Sequence, residues 1–113
     1  MTGRTIEITA RDGGKFNGYL AVPESGSGPG LVLGQEIFGV NPTMRATADY
    51  FAEEGYVVLV PDLFWRLEPG VELPYDEAGF AKAFGYFEQF DVDQSIEDIG
   101  AAMDALRLSL IHI

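Results

Sequence analysis

A chain of 113 residues has room for one hydrophobic core, so it reads as a single domain or part of one. It has no cysteine, which excludes disulfides, thiolate metal ligands and a cysteine nucleophile within this sequence. Its 7 Lys and Arg against 18 Asp and Glu give a formal charge of -11, which argues against nucleic acid or an anionic membrane as partner.

The first residues, MTGRTIEIT, lack the apolar core of a signal peptide, and no stretch is long and apolar enough to span a bilayer. A cytoplasmic location is therefore expected. Residues 5–10, TIEITA, alternate in polarity, Asp12-Gly13-Gly14 is a turn, and residues 15–22 return, which predicts an antiparallel hairpin. Asp12 is read as a turn-forming side chain. Residues 23–30, PESGSGPG, form a surface connector without phosphate-loop spacing.

Residues 31–33, LVL, form an apolar run of the kind found in buried parallel strands, and Gly34 lets the backbone turn closely. Chemistry gathers beyond the carboxyl ends of such strands. Glu36 stands there beside the amides of Ile37, Phe38 and Gly39, so this turn can supply both a charge and an oxyanion-binding N–H. Asn41 and Pro42 are an N-cap and a first-turn proline for a helix that carries Met44, Ala48, Phe51 and Ala52 on one face and stops at Gly55. Arg45 is either a solvated first-turn side chain or a partner for Glu36. Residues 56–60, YVVLV, predict a second parallel strand reached by a right-handed crossover. Asp62, at its end, is read as a structural residue bonded to nearby amides.

Residues 64–74, FWRLEPGVELP, are irregular, and Phe64 and Trp65 are either the wall of a pocket or buried anchors of this loop. A helix is predicted over residues 75–90, with Phe80, Phe84, Phe87 and Phe90 as a packing face. Asp91 or Asp93 caps a last helix whose apolar stripe is Ile96, Ile99, Met103 and Leu106 with Ala102, while Glu97, Asp98 and Asp104 read as its solvated face. No serine has G-x-S-x-G flanks, and His112, the only histidine, is an unpromising base so near the end.

QEIFGVNP followed by MRATADYFAEEGYVVLVPDLF resembles the amino-terminal half of the dienelactone hydrolase family (carboxymethylenebutenolidases), cysteine-nucleophile members of the α/β-hydrolase fold. The resemblance runs from about residue 6 to about residue 106 and includes the later PG turn and the final amphipathic helix. It implies an α/β fold, an incomplete α/β-hydrolase with three layers, in which an antiparallel hairpin precedes parallel strands joined by crossover helices. Residues 1–107 would then be the amino-terminal part of one domain, since the complete fold needs roughly twice this length. The family's next elements, a strand and a G-x-C-x-G elbow, do not occur here. Residues 108–113, LSLIHI, depart from the family, resemble a translated sequencing adapter, and are read as a non-native tail.

By motif, the resemblance puts Glu36 against the resting nucleophilic thiol and makes the Ile37 amide half of an oxyanion hole. Dienelactone-cleaving members place an arginine and, one turn later, a tyrosine where Phe80 and Phe84 align. Two phenylalanines cannot grip a carboxylate with a charge-assisted fork, so an uncharged or aromatic acyl group is expected there. Trp65, Phe80 and Phe84 are the candidate substrate contacts, and neither cofactor nor metal is expected. The function implied is hydrolysis of a small-molecule ester or lactone through a cysteine outside this sequence. The alternative is a small acidic α/β binding domain with Glu36, Trp65 and Phe84 lining its pocket. The chain alone is expected to be inactive and, through the open edge of the strand at residues 31–33, to self-associate.

Overall fold

Alternation at the amino end closes into the expected hairpin. In the computed structural model, which describes residues 3–112, β1 (Gly3–Thr9) runs antiparallel to β2 (Lys15–Ala21), with Gly3 opposite Ala21 and Thr9 opposite Lys15. Gly13 takes φ +97° at the turn, where a side chain would be strained, and Asp12 Oδ1 accepts from the Gly14 amide at 3.2 Å.

The two apolar runs form the parallel part of the sheet. β3 (Gly30–Val32) and β4 (Val57–Pro61) are joined by α1 (Pro42–Glu53), and β4 inserts between β2 and β3 to give the order β1-β2-β4-β3. Every residue of β4 is buried, as a strand covered on both faces requires. Gly30 lies opposite Val57 in parallel register, and the Leu33 amide extends the pairing to Leu59 O at 2.9 Å. The boundaries therefore sit one or two residues from those read in the sequence.

Two helices cover the sheet and make three layers. Met44, Ala48 and Ala52 of α1 pack on Tyr19, Ala21, Val58 and Val60. On the other face Ala101, Ala102 and Leu106 of α3 (Val92–His112) pack on Ile8, Phe16, Leu20, Val57 and Leu59. Complete burial of a side chain such as Leu20 or Leu59 contributes about 1.5–3 kcal/mol. Asp91 is the residue that caps α3, its Oδ1 accepting from the Gln94 amide at 3.1 Å.

The sequence readings of both later helices change here. Ile96 is 60% and Met103 44% exposed, whereas Asp98, read as solvated, is 1% exposed. Small residues at 101 and 102 let α3 approach the sheet with that side inward, and the donors of Trp65 and Arg66 compensate the buried carboxylate. The helix α2 (Glu77–Glu88) begins after Asp76, whose Oδ1 accepts from the Gly79 amide at 2.7 Å, so Tyr75 stands outside it. Its buried residues are Gly79 and Ala83, and Phe80, Phe84 and Phe87 of the expected packing face are exposed. The region read as a tail begins with Leu108, exposed at the end of a continuous α3, while the side chains of residues 109–112 and the whole of residue 113 lie outside the described residues.

Candidate active site

Past the carboxyl end of β3 the chain turns on Gly39, at φ +85°, where the Gly39 amide donates to Glu36 O at 3.1 Å. A Cβ on Gly39 would lie 1.9 Å from Val71 O, so this turn and the loop after β4 need glycine to approach each other. Their backbones are joined again where the Leu73 amide donates to Phe38 O at 2.9 Å. Gln35 ties the same two loops from the other side: its Oε1 accepts from the Leu63 amide at 2.8 Å and its Nε2 donates to Glu36 O at 3.1 Å.

These ties hold an exposed Glu36 side chain against a defined donor. The Tyr75 hydroxyl donates to Glu36 Oε1 at 2.6 Å and accepts from Asn41 Nδ2 at 3.0 Å. Asn41 is buried because it is also the α1 cap, its Oδ1 accepting from the Met44 amide at 3.0 Å. No described residue accepts the Ile37 amide, which leaves that N–H free beside the carboxylate.

Arg45 does not pair with Glu36. From the first turn of α1 its Nη1 donates to Val40 O and to Glu72 Oε1, both at 2.9 Å, because Glu72 lies on the loop that Gly39 draws close. Asp62 has the structural part read from the sequence: Oδ1 accepts from the Phe64 amide at 3.2 Å and Oδ2 from the Gly70 amide at 2.8 Å. Burial pushes its carboxyl above the usual range, against the pull of those two amides.

A cavity of about 270 Å³ opens beside the turn, lined by Glu36 and Ile37 together with Phe64, Phe87, Ile96 and Ile99 among others. Glu36 and Ile37 are thus brought together at an apolar space. Phe80 and Phe84 do not line it; they belong to an aromatic row, Phe84 edge-on to Phe80 at 4.9 Å, Phe80 at 6.2 Å from Phe38, and Phe38 at 4.6 Å from Tyr75. Trp65 is elsewhere. It stacks on Phe16 at 5.1 Å and donates Nε1 to Asp98 at 3.0 Å, so it anchors the loop to the hairpin and α3. Among the described residues no group of three or more His, Cys, Asp or Glu is placed to hold a metal ion.

Sequence reasoning missed Tyr75, the second use of Asn41 and the bridging amide of Gln35. Tyr75 has no local signal, since its partners are 34 and 39 residues away.

Comparison with known proteins finds relatives of this chain. A sequence model described as the Dienelactone hydrolase family matches residues 16–109. A carboxymethylenebutenolidase from a Pseudomonas species is 41% identical over 104 residues, covering 91% of this chain and 44% of the relative. Carboxymethylenebutenolidase 1 from Cupriavidus pinatubonensis is 36% identical over 108 residues, covering 95% of this chain and 46% of the relative. A solved structure of a candidate dienelactone hydrolase from Klebsiella pneumoniae shares the fold, with a TM-score of 0.73 at 23% identity over 95% of this chain and 45% of that one. The chain spans less than half the length of each of these proteins.

Proposed function

Because the chain belongs to the dienelactone hydrolase family, we propose that it forms the amino-terminal part of a larger α/β-hydrolase domain that cleaves an ester or lactone. The observation that carries this reading is the pairing, at the carboxyl end of β3 and at the mouth of an apolar cavity, of a held carboxylate with an uncommitted amide. In the reaction proposed, a cysteine thiolate supplied by sequence beyond this segment attacks the acyl carbonyl. The oxygen of the tetrahedral intermediate takes its hydrogen bonds from the Ile37 amide and from the amide that follows the nucleophile. The carbon–oxygen bond to the leaving alcohol breaks, and water hydrolyses the acyl-enzyme. Glu36 adjoins the nucleophile. Phe80 and Phe84, in an exposed aromatic row that runs through Phe38 to Tyr75, the partner of Glu36, suit an uncharged or aromatic acyl group.

Purified full-length protein and the 113-residue chain are assayed side by side against an aryl ester and a lactone. Turnover is expected from the first, weakened by Glu36→Ala, and none from the second. Turnover by the chain alone that disappears in E36A overturns the division of the site. Saturable binding by the full-length protein without turnover favours the acidic binding domain instead.

A further inference from the structure

We infer that Tyr75 is the positioning residue that orients the Glu36 carboxylate, and that the α1 cap residue Asn41 sets the direction in which the Tyr75 proton points. Its catalytic consequence rests on the proposed function; the orientation of Glu36 does not.

The argument starts at the helix cap. Asn41 is 1% exposed, and its Oδ1 must face the Met44 amide to satisfy the first turn of α1. That fixes which way round the amide sits, so Nδ2 faces the Tyr75 oxygen, 3.0 Å away. A phenol has one proton. With a lone pair occupied by Nδ2, the hydroxyl hydrogen goes to its other neighbour, Glu36 Oε1, at 2.6 Å, within the range of a charge-assisted O–H···O⁻ bond. Helix capping and carboxylate orientation are thereby coupled through one tyrosine.

The tyrosine is itself held. Its ring lies against Phe38 at 4.6 Å with a 59° tilt, and the backbone two residues earlier is bonded to Phe38 O through the Leu73 amide. Asp76, directly after it, caps α2. Glu36 has no such restraint of its own: it is exposed, it sits in a turn, and its side chain has several rotatable bonds to lose. Arg45, on the first turn of α1, is engaged by Glu72 and Val40. Among the described residues Tyr75 is the only side chain that donates to the Glu36 carboxylate.

The test is NMR on the full-length protein with labelled glutamate, reading the Glu36 χ1 rotamer from three-bond couplings. One rotamer is expected to dominate in the unsubstituted protein and to give way to averaging in Tyr75→Phe. Asn41→Ser, which keeps a capping oxygen but removes Nδ2, should give partial averaging, and the amide spectrum reports whether each variant stays folded. Couplings already averaged in the unsubstituted protein, or unchanged in a folded Y75F, overturn the inference. In the full-length enzyme Y75F should lower kcat by roughly tenfold with KM within about twofold, a split that general loosening of the fold would not produce. If the full-length protein shows no turnover while the couplings behave as expected, the hydrolase reading fails and the positioning stands. If it turns over and Y75F alters neither couplings nor kcat, the positioning fails alone.

Discussion

Arg66 grips the buried Asp98 with a fork of two hydrogen bonds, Nη2 to Oδ1 at 2.9 Å and Nε to Oδ2 at 3.1 Å. The same guanidinium lies 4.4 Å over the Trp65 ring and reaches Asp12 Oδ2 at 2.7 Å through Nη1. One side chain of the loop after β4 therefore joins the hairpin turn to α3, across the sheet face that carries the larger core.

Removing it leaves a nearly inaccessible carboxylate with the Trp65 N–H as its one side-chain donor among the described residues. Arg66→Ala is expected to cost about 3 kcal/mol, the lower part of the range for breaking a buried pair because Arg66 is itself partly exposed. Arg66→Lys should recover less than half, since an ammonium cannot reproduce the fork. Urea denaturation measures both, and a loss below about 1 kcal/mol for R66A would contradict the clamp.

Asp12 gives this clamp a pH dependence. The hydrogen bond from Arg66, then that from the Gly14 amide, lowers its pKa from the ordinary 3.8. A folded pKa below the unfolded one contributes stability that is present above the unfolded value and lost as pH falls through the folded one. The difference in urea midpoint between the unsubstituted chain and Asp12→Asn should therefore be largest near neutral pH and shrink in acid. Asp62, raised by burial, acts in the opposite sense, its contribution falling as pH rises from the unfolded toward the folded pKa, but it is common to both chains and cancels. In an R66A background the pH-dependent part should largely vanish.

Gly39→Ala is expected to be far more damaging than Gly34→Ala, although both lie in one turn sequence. At Gly39 the added methyl meets Val71 O and the backbone has φ +85°; at Gly34 nothing stands within 4 Å. The first should cost about 3 kcal/mol and free Glu36 from Tyr75, and the second should stay within roughly 0.5 kcal/mol. Equal midpoints would show that the two loops do not depend on their close approach.

Substrate charge is the fourth point of test. In the full-length enzyme, kcat/KM for a neutral ester should exceed that for its carboxylate analogue by at least roughly tenfold, because an unpaired anion in the apolar cavity walled by Phe64, Phe87 and Ile96, or against Phe80 and Phe84, loses hydration without gaining a partner. Preference for the anion would require a cation beyond this segment.

Association follows from the sheet edge. β3 is the last strand in the order and pairs on one side with β4, while Val92, Ile96 and Met103 are exposed on the adjoining helix. Net charge repels at long range, but physiological salt screens that repulsion beyond about 8 Å and leaves the apolar attraction at contact intact. Sedimentation velocity should show dimers or larger species above micromolar concentration, and a monomer at high concentration would count against it.

Local chemistry was enough to read the hairpin, both parallel strands, the Asn41 and Gly55 ends of α1 and the placing of Glu36 and Ile37 at a strand end, because polarity period, capping residues and glycine turns act over a few neighbours. The QEIFG turn was read through its resemblance to the family and not from local chemistry. What only the tertiary structure decided depends on residues far apart in the chain. Asp98 looks solvated until small residues bring α3 onto the sheet and Trp65 and Arg66 arrive from another loop. Arg45 lies near Glu36 in sequence yet pairs with Glu72, and Tyr75 reads as helix until Asp76 caps α2 and frees its hydroxyl for Glu36. A side chain's hydrogen-bond partner is chosen by which donors and acceptors burial leaves within about 3 Å, and that choice is made only when the loops have packed.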